Sequence, residues 1–396
     1  MAETDPILPA SPFLALPGAV ATAETDPDAG VPAHYGSPLT EQRDLERGAA
    51  VVDLSTRGVV GVTGGDRLSW LDSMSSQSLR GLRPGESAEA LLLDPHGHVE
   101  HALHVLDDGE TTWLLLERTD AAAVLDFLQK MRFMLRVEPA DRTADFATVG
   151  SFGVPDAVAS LRATSEEVPL SWGDPWPTLV TGGHQYARPA DGHPGADYRW
   201  VETLVPREAL GALAAEVTAG TIGAAGTLAA EALRIAAWRP RFAADVDERT
   251  IPHELDWLRT AVHLNKGCYR GQETVAKVHN LGHPPRRMVF LHLDGSQNVA
   301  VRQGDDVLAG DAVVGHVTSA GVHHELGPIA LAVVKRTTDA STDLVVRVDD
   351  DLVAAAQEQI VPTDAGAEAN VPRIPRLGAV SRDNAVTREP RSSTAR

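Results

Sequence analysis

The sequence predicts an α+β protein that ends in a small antiparallel β-barrel or sandwich. Over residues 37–145, short apolar runs with the period of β-strands alternate with helices that have one apolar face. Two helices rich in alanine and leucine follow at 207–218 and 227–238. After Arg287 the pattern changes to short strand-like runs separated by Gly, Asp and Ser, which is typical of small barrels.

Each element has its own local signal. Ser37 followed by Pro38 is a helix N-terminal pair and predicts a short helix through Leu45. The helix at 121–133 is indicated by an apolar face of Val, Leu, Phe and Met side chains. The remaining elements predicted from apolar runs are a helix at 66–74 and strands at 51–54, 58–63, 88–93, 98–106, 111–116, 288–293, 312–318, 329–334 and 344–348.

Chain length and composition indicate how many domains the protein has and which parts are disordered. With 396 residues, 43% of them hydrophobic, the chain is long enough for two or three domains. Both ends are rich in Pro and polar residues without an apolar stripe, which predicts disorder. Turn signals between residues 150 and 200 predict a second, inserted domain. The expected organisation is a disordered arm at 1–36, a discontinuous first domain at 37–145 and 225–285, a second α/β domain at 146–224, a barrel at 286–362 and a disordered tail at 363–396.

Charge and cysteine content exclude several classes of function. The chain has 55 Asp and Glu against 35 Lys and Arg, and a net charge of −20 disfavours indiscriminate binding to nucleic acid or anionic membranes. A single cysteine, Cys268, cannot form an intrachain disulfide or hold an iron–sulfur cluster alone. No Lys or Arg precedes Arg43 and no apolar run has the roughly 18 residues of a membrane span, so we expect a cytoplasmic protein.

The segment Lys266–Glu273, here called the thiol loop, carries the densest chemical signal. Two glycines bracket a thiol and a phenol, and such a loop can approach a ligand closely. Lys266 and Arg270 flank Cys268, and a helix starting near Gln272 would add a positive dipole, which favours a reactive thiolate. The alternative is that Cys268 is a small buried hydrophobic residue.

The neighbourhood of the thiol loop is locally cationic. Between Lys266 and Arg287 there are five basic residues and one acid, a local excess of +4 in an acidic chain. This contrast predicts an anionic ligand. A solvated surface and an RNA site are the alternatives, and aromatic residues are too sparse to favour RNA. The basic residues are Lys266, Arg270, Lys277, Arg286 and Arg287.

Four histidines between residues 96 and 104 suggest a metal site, but their spacing does not favour one. On a strand, His96, His98 and His104 would share one face and His101 the other, and no Asp or Cys lies among them. The helical H-E-x-x-H pattern is absent from the sequence, as are nucleotide phosphate loops. We therefore expect no metal site.

The thiol loop resembles the K-G-C-Y-x-G-Q-E signature of the YgfZ-type folate-binding proteins at every fixed position. Other stretches resemble the aminomethyltransferase superfamily, to which that family belongs, and the likeness spans roughly residues 45–350. These stretches are Asp53–Ser55, Gly58–Asp66, Ala232–Ile235, Asp247–Glu248, Ile251–Glu254, Gly315–Ser319 and Leu326–Ala332.

The resemblance implies three domains around a central folate channel. The cofactor would be tetrahydrofolate or a one-carbon or polyglutamylated derivative. Arg234 and Glu254 would lie on the channel wall and Cys268 would be the catalytic candidate. The implied role is the assembly or repair of iron–sulfur enzymes, including tRNA-modifying ones, with client or assembly proteins as partners. The other implied folate-binding residues, at the channel edge, are Lys266, Gly267, Tyr269, Arg270, Gly271, Gln272 and Glu273.

Two departures from the transferase pattern leave alternatives open. The transferase has paired aspartates after a glycine in its first domain, whereas Gly97–His101 reads Gly-His-Val-Glu-His here. Its second-domain loop is not recognisable around Gly195–Tyr198, where Asp197 is the candidate substitute for a pterin-holding carboxylate. A folate-dependent aminomethyltransferase or demethylase that produces methylene-tetrahydrofolate is therefore the second hypothesis. A thiol carrier that uses Cys268 covalently is the third.

Overall fold

A computed structural model describes residues 8–369 of the chain. The α-helices are α1 Pro38–Glu46, α2 Arg67–Met74, α3 Ala121–Met131, α4 Asp156–Ala159, α5 Leu210–Thr218, α6 Thr227–Ala236, α7 Phe242–Asp245 and α8 Gln272–Leu281. The strands are β1 Val20–Ala21, β2 Pro32–His34, β3 Ala50–Asp53, β4 Gly58–Thr63, β5 Ser87–Leu93, β6 Val99–Asp107, β7 Thr111–Leu116, β8 Glu138–Asp141, β9 Phe146–Phe152, β10 Thr164–Ser165, β11 Val168–Pro169, β12 Ser171–Gly173, β13 Trp200–Pro206, β14 Gly223–Ala225, β15 Arg286–Leu293, β16 Asp306–Ala309, β17 Ala312–His323, β18 Gly327–Lys335, β19 Leu344–Val348 and β20 Asp351–Gln359.

Two five-stranded sheets and a barrel form the body of the molecule. The first sheet has the order β5-β6-β7-β4-β8 and the second the order β12-β13-β9-β3-β14. Every pairing in them is antiparallel except that of β14 with β3, which is parallel. The barrel closes in the order β15-β18-β17-β16-β19-β20. The predicted α+β class and the C-terminal barrel are confirmed.

The second sheet draws a strand from the segment that we expected in the first domain. Strand β3 pairs with β9 through Val52 and Gly150, and with β14 through Ala50 and Gly223. The two sheets also share one apolar cluster, which includes Trp113 of the first sheet and Trp200 of the second. A boundary at residue 145 therefore does not coincide with the division between the sheets.

Helix α6 joins both sheets to the barrel. Its N-cap residue, Gly226, donates its backbone N–H to Glu41 Oε2 at 3.0 Å. Ala232 and Ile235 lie on its buried face, next to Gly321 of β17. The opposite edge of the same helix carries polar side chains inward, towards the space between the sheets.

Residues 8–36 are ordered, so the prediction of a disordered arm is wrong for them. Phe13 and Val31 are fully buried, and the Ser11 hydroxyl donates a hydrogen bond to Asp53. The segment has no regular periodicity, but Phe13, Leu16 and Val31 enter the core of the body, which offsets the entropy lost on ordering. Residues 1–7 lie outside the described part of the chain.

The start of the expected disordered tail is also ordered. Ala365 is fully buried, and the Glu368 backbone N–H donates to the carbonyl oxygen of His279, near the end of α8, at 2.9 Å. The prediction is wrong for residues 363–369, and residues 370–396 lie outside the described range. Within the described range, no helix is long and apolar enough to cross a membrane.

Candidate functional site

A cavity of about 730 Å³, counted to its open mouth, lies between the two sheets and α6. We call it the central cavity. Aromatic side chains form much of its wall, and six carboxylates and four guanidinium groups line it. The aromatic residues are Tyr198, Trp200, Phe242 and Trp257, the carboxylates Asp28, Glu89, Glu117, Asp174, Glu202 and Glu231, and the arginines Arg57, Arg234, Arg239 and Arg241.

Arg239 lines the central cavity and lies between two carboxylates. Its Nη2 donates to Glu89 Oε1 at 2.7 Å and its Nε to Asp174 Oδ2 at 2.9 Å. Burial opposes ionisation of Glu89, but the charge of Arg239 outweighs it and lowers the pKa of that carboxyl. The third nitrogen, Nη1 of Arg239, is buried without a hydrogen-bond partner among the described residues. The hydrogen-bonding capacity of this donor is therefore unused in the structure.

Glu202 also lines the central cavity and is buried. It accepts from Arg57 Nη1 at 2.5 Å, and its other oxygen lies 2.9 Å from His104 Nδ1. His104 in turn stacks on Trp172, with ring centroids 3.8 Å apart. Burial would raise the pKa of Glu202, but His104 and Arg57 together lower it to about 2. Glu202 is therefore a fixed negative charge beside an aromatic wall.

The sequence did not single out Glu202, although a signal was present. Trp200 and Glu202 are two residues apart on β13 and both face the central cavity, as the period of a strand requires. A glutamate within a mainly apolar strand could have indicated this. Asp197, the substitute that we considered, is exposed in a short 3-10 helix and does not line the cavity.

Arg234 lies on the cavity wall, at the position that the resemblance implied. It is one turn from Glu231 on α6, and its Nη2 lies 2.7 Å from Glu231 Oε2. Its Nη1 donates to Asp245 Oδ2 at 2.8 Å, and its Nη2 to the hydroxyl of Ser319 in the barrel at 2.7 Å. These bonds fix the guanidinium and connect the cavity wall to the barrel.

Strand β6 presents Ala102 and His104 to the central cavity. Glu100 points elsewhere, because it accepts from Arg270 Nη1 at 2.7 Å in an exposed ion pair. His101 Nδ1 lies 3.3 Å from Asp120 Oδ2, at the start of α3. The carboxylate that a transferase would need on this strand is thus not among the residues that line the cavity.

The thiol loop lies against the turn between β5 and β6. Gly271 has φ of +82°, and a Cβ atom there would lie 2.7 Å from the carbonyl oxygen of Asp94, so only glycine fits. Cys268 is exposed, which decides against the alternative of a buried hydrophobic residue. Lys266 is turned inward instead and donates to the carbonyl oxygens of Ser75 at 2.8 Å and Gln77 at 2.7 Å. Burial lowers the pKa of Lys266.

The five cations expected to form one anion site have separate partners. Lys266 is buried against backbone carbonyls and Arg270 pairs with Glu100. Arg286 pairs with Glu254 and Asp247, and Arg287 donates to the carbonyl oxygen of Thr338 at 3.0 Å. Lys277 is exposed on α8.

The thiol loop and Glu254 do not contribute to the wall of the central cavity. No residue of 266–273 is among those lining it, and Glu254 is buried beside Arg286. Arg234 is therefore the one predicted folate-binding residue that the described part of the chain places on the cavity wall.

The histidines of residues 96–104 have separate partners rather than a common centre. His98 Nδ1 lies 2.8 Å from Asp94 Oδ2, His101 pairs with Asp120, and His104 pairs with Glu202. Between residues 8 and 369, no group of three or more His, Cys, Asp or Glu side chains could hold a metal ion.

Comparison with known proteins gives the class of this fold. A crystal structure of the glycine cleavage system aminomethyltransferase T from Bartonella henselae aligns with a TM-score of 0.68 at 19% identity, covering 87% of this chain and 94% of that one. The chain therefore has the aminomethyltransferase fold. Residues 286–360 match the glycine cleavage T-protein C-terminal barrel domain.

Curated relatives agree with this class along most of the chain. An aminomethyltransferase of Thermus thermophilus is 29% identical over 327 residues, covering 80% of this chain and 88% of the relative. A chloroplastic protein of Arabidopsis thaliana, described as a transferase, is 25% identical over 331 residues, covering 79% of this chain and 71% of the relative. Together with the barrel match, these likenesses support membership of the aminomethyltransferase-like superfamily.

Proposed function

We propose that this protein binds tetrahydrofolate, or a one-carbon or polyglutamylated derivative, in the central cavity and acts as an accessory protein in the assembly or repair of iron–sulfur enzymes. The observation that carries the folate part is Glu202, a buried carboxylate flanked by the aromatic wall of the central cavity. The iron–sulfur part rests on the resemblance of the thiol loop to the YgfZ signature.

The groups of the central cavity fit a reduced pterin. The pterin ring is flat and carries adjacent N–H donors on one edge and a carbonyl oxygen nearby. Carboxylates such as Glu202 can accept from those donors, and the unpartnered Nη1 of Arg239 can donate to the carbonyl oxygen. Trp200 and Trp257 offer apolar faces for the ring. Polar groups placed between aromatic walls are what a site for such a ligand requires.

The exposed thiol suits an accessory role. Cys268 lies at the surface on a loop whose glycine anchor is pressed against the first sheet, so it is accessible to a partner protein. A single free cysteine also suits a reducing compartment such as the cytoplasm. The chain has no set of cysteines with which to hold a cluster, so the iron–sulfur centre would belong to the client or to an assembly protein.

The names of the curated relatives favour a second candidate, a folate-dependent aminomethyltransferase or demethylase. The geometry of β6 argues against it, because Glu100 is engaged by Arg270 away from the cavity and Ala102 and His104 face the cavity instead. A histidine paired with Glu202 has neither the negative charge nor the position of a free aspartate.

Binding of tetrahydrofolate tests the folate part directly. We expect anaerobic titration calorimetry to give a dissociation constant in the micromolar range or below, and saturating ligand to raise the melting temperature by mass action. Glu202→Gln should weaken binding at least about tenfold, since a charged hydrogen bond to the pterin is lost. The matched control is Glu273→Gln, an exposed position away from the cavity, which should bind as the native chain does. Absence of tetrahydrofolate binding to the native chain would contradict the proposal.

Two further assays separate the roles. A transferase would convert a methylamine-type substrate to methylene-tetrahydrofolate, and we expect no turnover. In a strain that lacks the gene, we expect reduced activity of iron–sulfur enzymes, restored by the native chain. If Cys268→Ser restores activity fully, the hypothesis of a covalent thiol carrier is wrong, while folate binding stands on its own measurement.

A further inference from the structure

A segment ahead of the first sheet contributes one side chain to the wall of the central cavity. We call residues 19–36 the N-terminal strap; it contains β1, β2 and the turn between them. Asp28 in that turn is buried and lines the cavity. Its two oxygens accept from Arg241, Oδ2 from Nη1 at 2.8 Å and Oδ1 from Nη2 at 2.9 Å. The Nε of Arg57 lies 3.8 Å from the same carboxylate and has no hydrogen-bond partner among the described residues.

Exposure differs among the side chains that line the central cavity. Those of Arg239, Glu89 and Asp174 are at most 4% exposed. Among the partners of Arg241, Asp28 is 4% exposed, Glu117 11% and Glu231 25%. Through Glu117 and Glu231 the surroundings of Arg241 are the more exposed of the two, so the substituent of a bound ring can extend there.

Arg241 has more anionic partners than its charge requires. Besides Asp28, it donates to Glu117 Oε1 at 2.7 Å and Glu231 Oε1 at 3.0 Å. Glu117 directly follows β7 and Glu231 is on α6, so both are held by regular structure. Asp28 is on a turn. Because the cavity wall already carries six carboxylates against four arginines, a further anion can enter at low electrostatic cost only if one carboxylate leaves.

The turn that carries Asp28 is held by few bonds. The hairpin of β1 and β2 has two paired positions with an irregular register between them. Beside the ion pairs of Asp28, the turn is bonded to the body by a hydrogen bond of 3.1 Å from Arg118 to the carbonyl oxygen of Ala29, and the fully buried Val31 follows it. Asp28 is thus the carboxylate around Arg241 whose release disturbs the least structure.

We propose that Arg57 and Arg241 form the subsite for the carboxylate tail of the ligand, and that Asp28 occupies this subsite as an internal anion until the tail replaces it. The inference rests on the proposed function, because the tail is the glutamate of a folate. The exchange substitutes one carboxylate for another, so the charge around Arg241 is unchanged while the strap is released. No covalent bond is formed or broken.

Affinity for ligands with and without the tail tests this inference. The probes are tetrahydrofolate and 6-methyltetrahydropterin, which has the ring but no glutamate. Asp28→Asn removes the competing charge, so we expect about tenfold or more tighter binding of tetrahydrofolate and less than about twofold change for the pterin. The matched control is Glu24→Gln, an exposed acid in the same turn, which should change neither affinity by more than about twofold.

Hydrogen exchange on the native chain gives an independent readout. The amide of Thr22, bonded to the carbonyl oxygen of Val31 at 3.0 Å, and that of Ala29, bonded to the carbonyl oxygen of Asp26 at 2.9 Å, should exchange faster with tetrahydrofolate than with 6-methyltetrahydropterin. If Asp28→Asn does not fold, hydrogen exchange on the native chain tests the tail subsite by itself.

The outcomes separate the two proposals. If neither probe binds the native chain, the proposed function fails. If both probes bind but Asp28→Asn leaves the tetrahydrofolate affinity unchanged, or tetrahydrofolate leaves the strap amides as protected as the pterin does, the tail subsite is overturned while folate binding stands.

Discussion

The ammonium group of Lys266 donates a hydrogen bond of 2.7 Å to the carbonyl oxygen of Gln77, which connects the thiol loop to the chain just after α2. The same nitrogen serves the carbonyl oxygens of Asp72 and Ser75, and the side chain is 3% exposed. One cation therefore satisfies three backbone acceptors where the helix has ended and intrahelical donors are missing. Lys266, the lysine of the signature, therefore anchors the thiol loop to the backbone that follows α2.

We expect Lys266→Met to destabilise the protein by about 1–3 kcal/mol, because it leaves buried carbonyl oxygens without donors. The control is Lys277→Met on the exposed side of α8, which should change the free energy of unfolding by less than about 0.5 kcal/mol. Denaturant unfolding of both variants measures the difference. Equal stabilities would show that the three acceptors do not depend on Lys266.

The stability of the protein should fall with rising pH because of Asp256. This carboxyl is fully buried, and burial raises its pKa from 3.8 to about 7 although the backbone amide of Tyr186 donates to it at 2.6 Å. Its contribution to stability is therefore complete below about pH 4 and is lost as the pH rises through about 7. Relative to Asp256→Asn, the native chain should lose on the order of 3 kcal/mol between pH 4 and 8.

Unfolding free energies of the native chain and Asp256→Asn across that pH range provide the check. An exposed aspartate replaced in the same way, Asp197→Asn, should leave the pH profile of the native chain unchanged. Parallel profiles for the native chain and Asp256→Asn would mean that Asp256 is ionised throughout the range.

Phe13 tests whether the segment ahead of the first sheet is part of the folded body. Its ring is fully buried in the cluster formed with α5 and the second sheet. Phe13→Ala should cost about 3–5 kcal/mol through lost burial and the cavity left behind. Val20→Ala, at a position 46% exposed, should cost less than about 0.5 kcal/mol. A small effect of Phe13→Ala in calorimetric melting would indicate that this segment is detached in solution.

Cys268 should react with a thiol reagent in the folded state. It is exposed, so we expect one equivalent of iodoacetamide to be taken up without prior unfolding and none by Cys268→Ser. The substitution touches no core contact and should leave the melting temperature within about 1 °C. Labelling that requires denaturant would place the thiol in a protected position.

The barrel shows how far local patterns determine strands. The apolar runs of β15, β17, β18 and β19 were identified, whereas β20, Asp351–Gln359, was missed. Only Val353 and Ala355 of that strand are buried, and alanine has no preference for strands. Its conformation is set by ladders with β15 and β19, which are distant in sequence. Such pairing is not visible in a local window.

In the candidate site too, some residues could be predicted from the sequence and others could not. Arg234 was named because the resemblance marks its position, and α6 places its side chain on the cavity wall. Glu202, Arg239 and Arg241 were missed because their significance comes from partners contributed by other elements: Arg57, Glu89 and Asp28 respectively. The five basic residues near the thiol loop gave an excess of charge along the chain, and folding distributes them among unrelated partners. Sequence charge therefore predicted an anion site that the fold does not form.

The outer edge of the first sheet determines how readily copies of the molecule can associate edge to edge. Strand β8 is four residues long and lies at that edge, with Pro139 flanked by the charged ends Glu138 and Asp141. Proline offers no N–H to an incoming strand, and the flanking acids repel a chain that is itself strongly acidic. With the barrel closed on itself, this edge is a barrier against aggregation by strand addition.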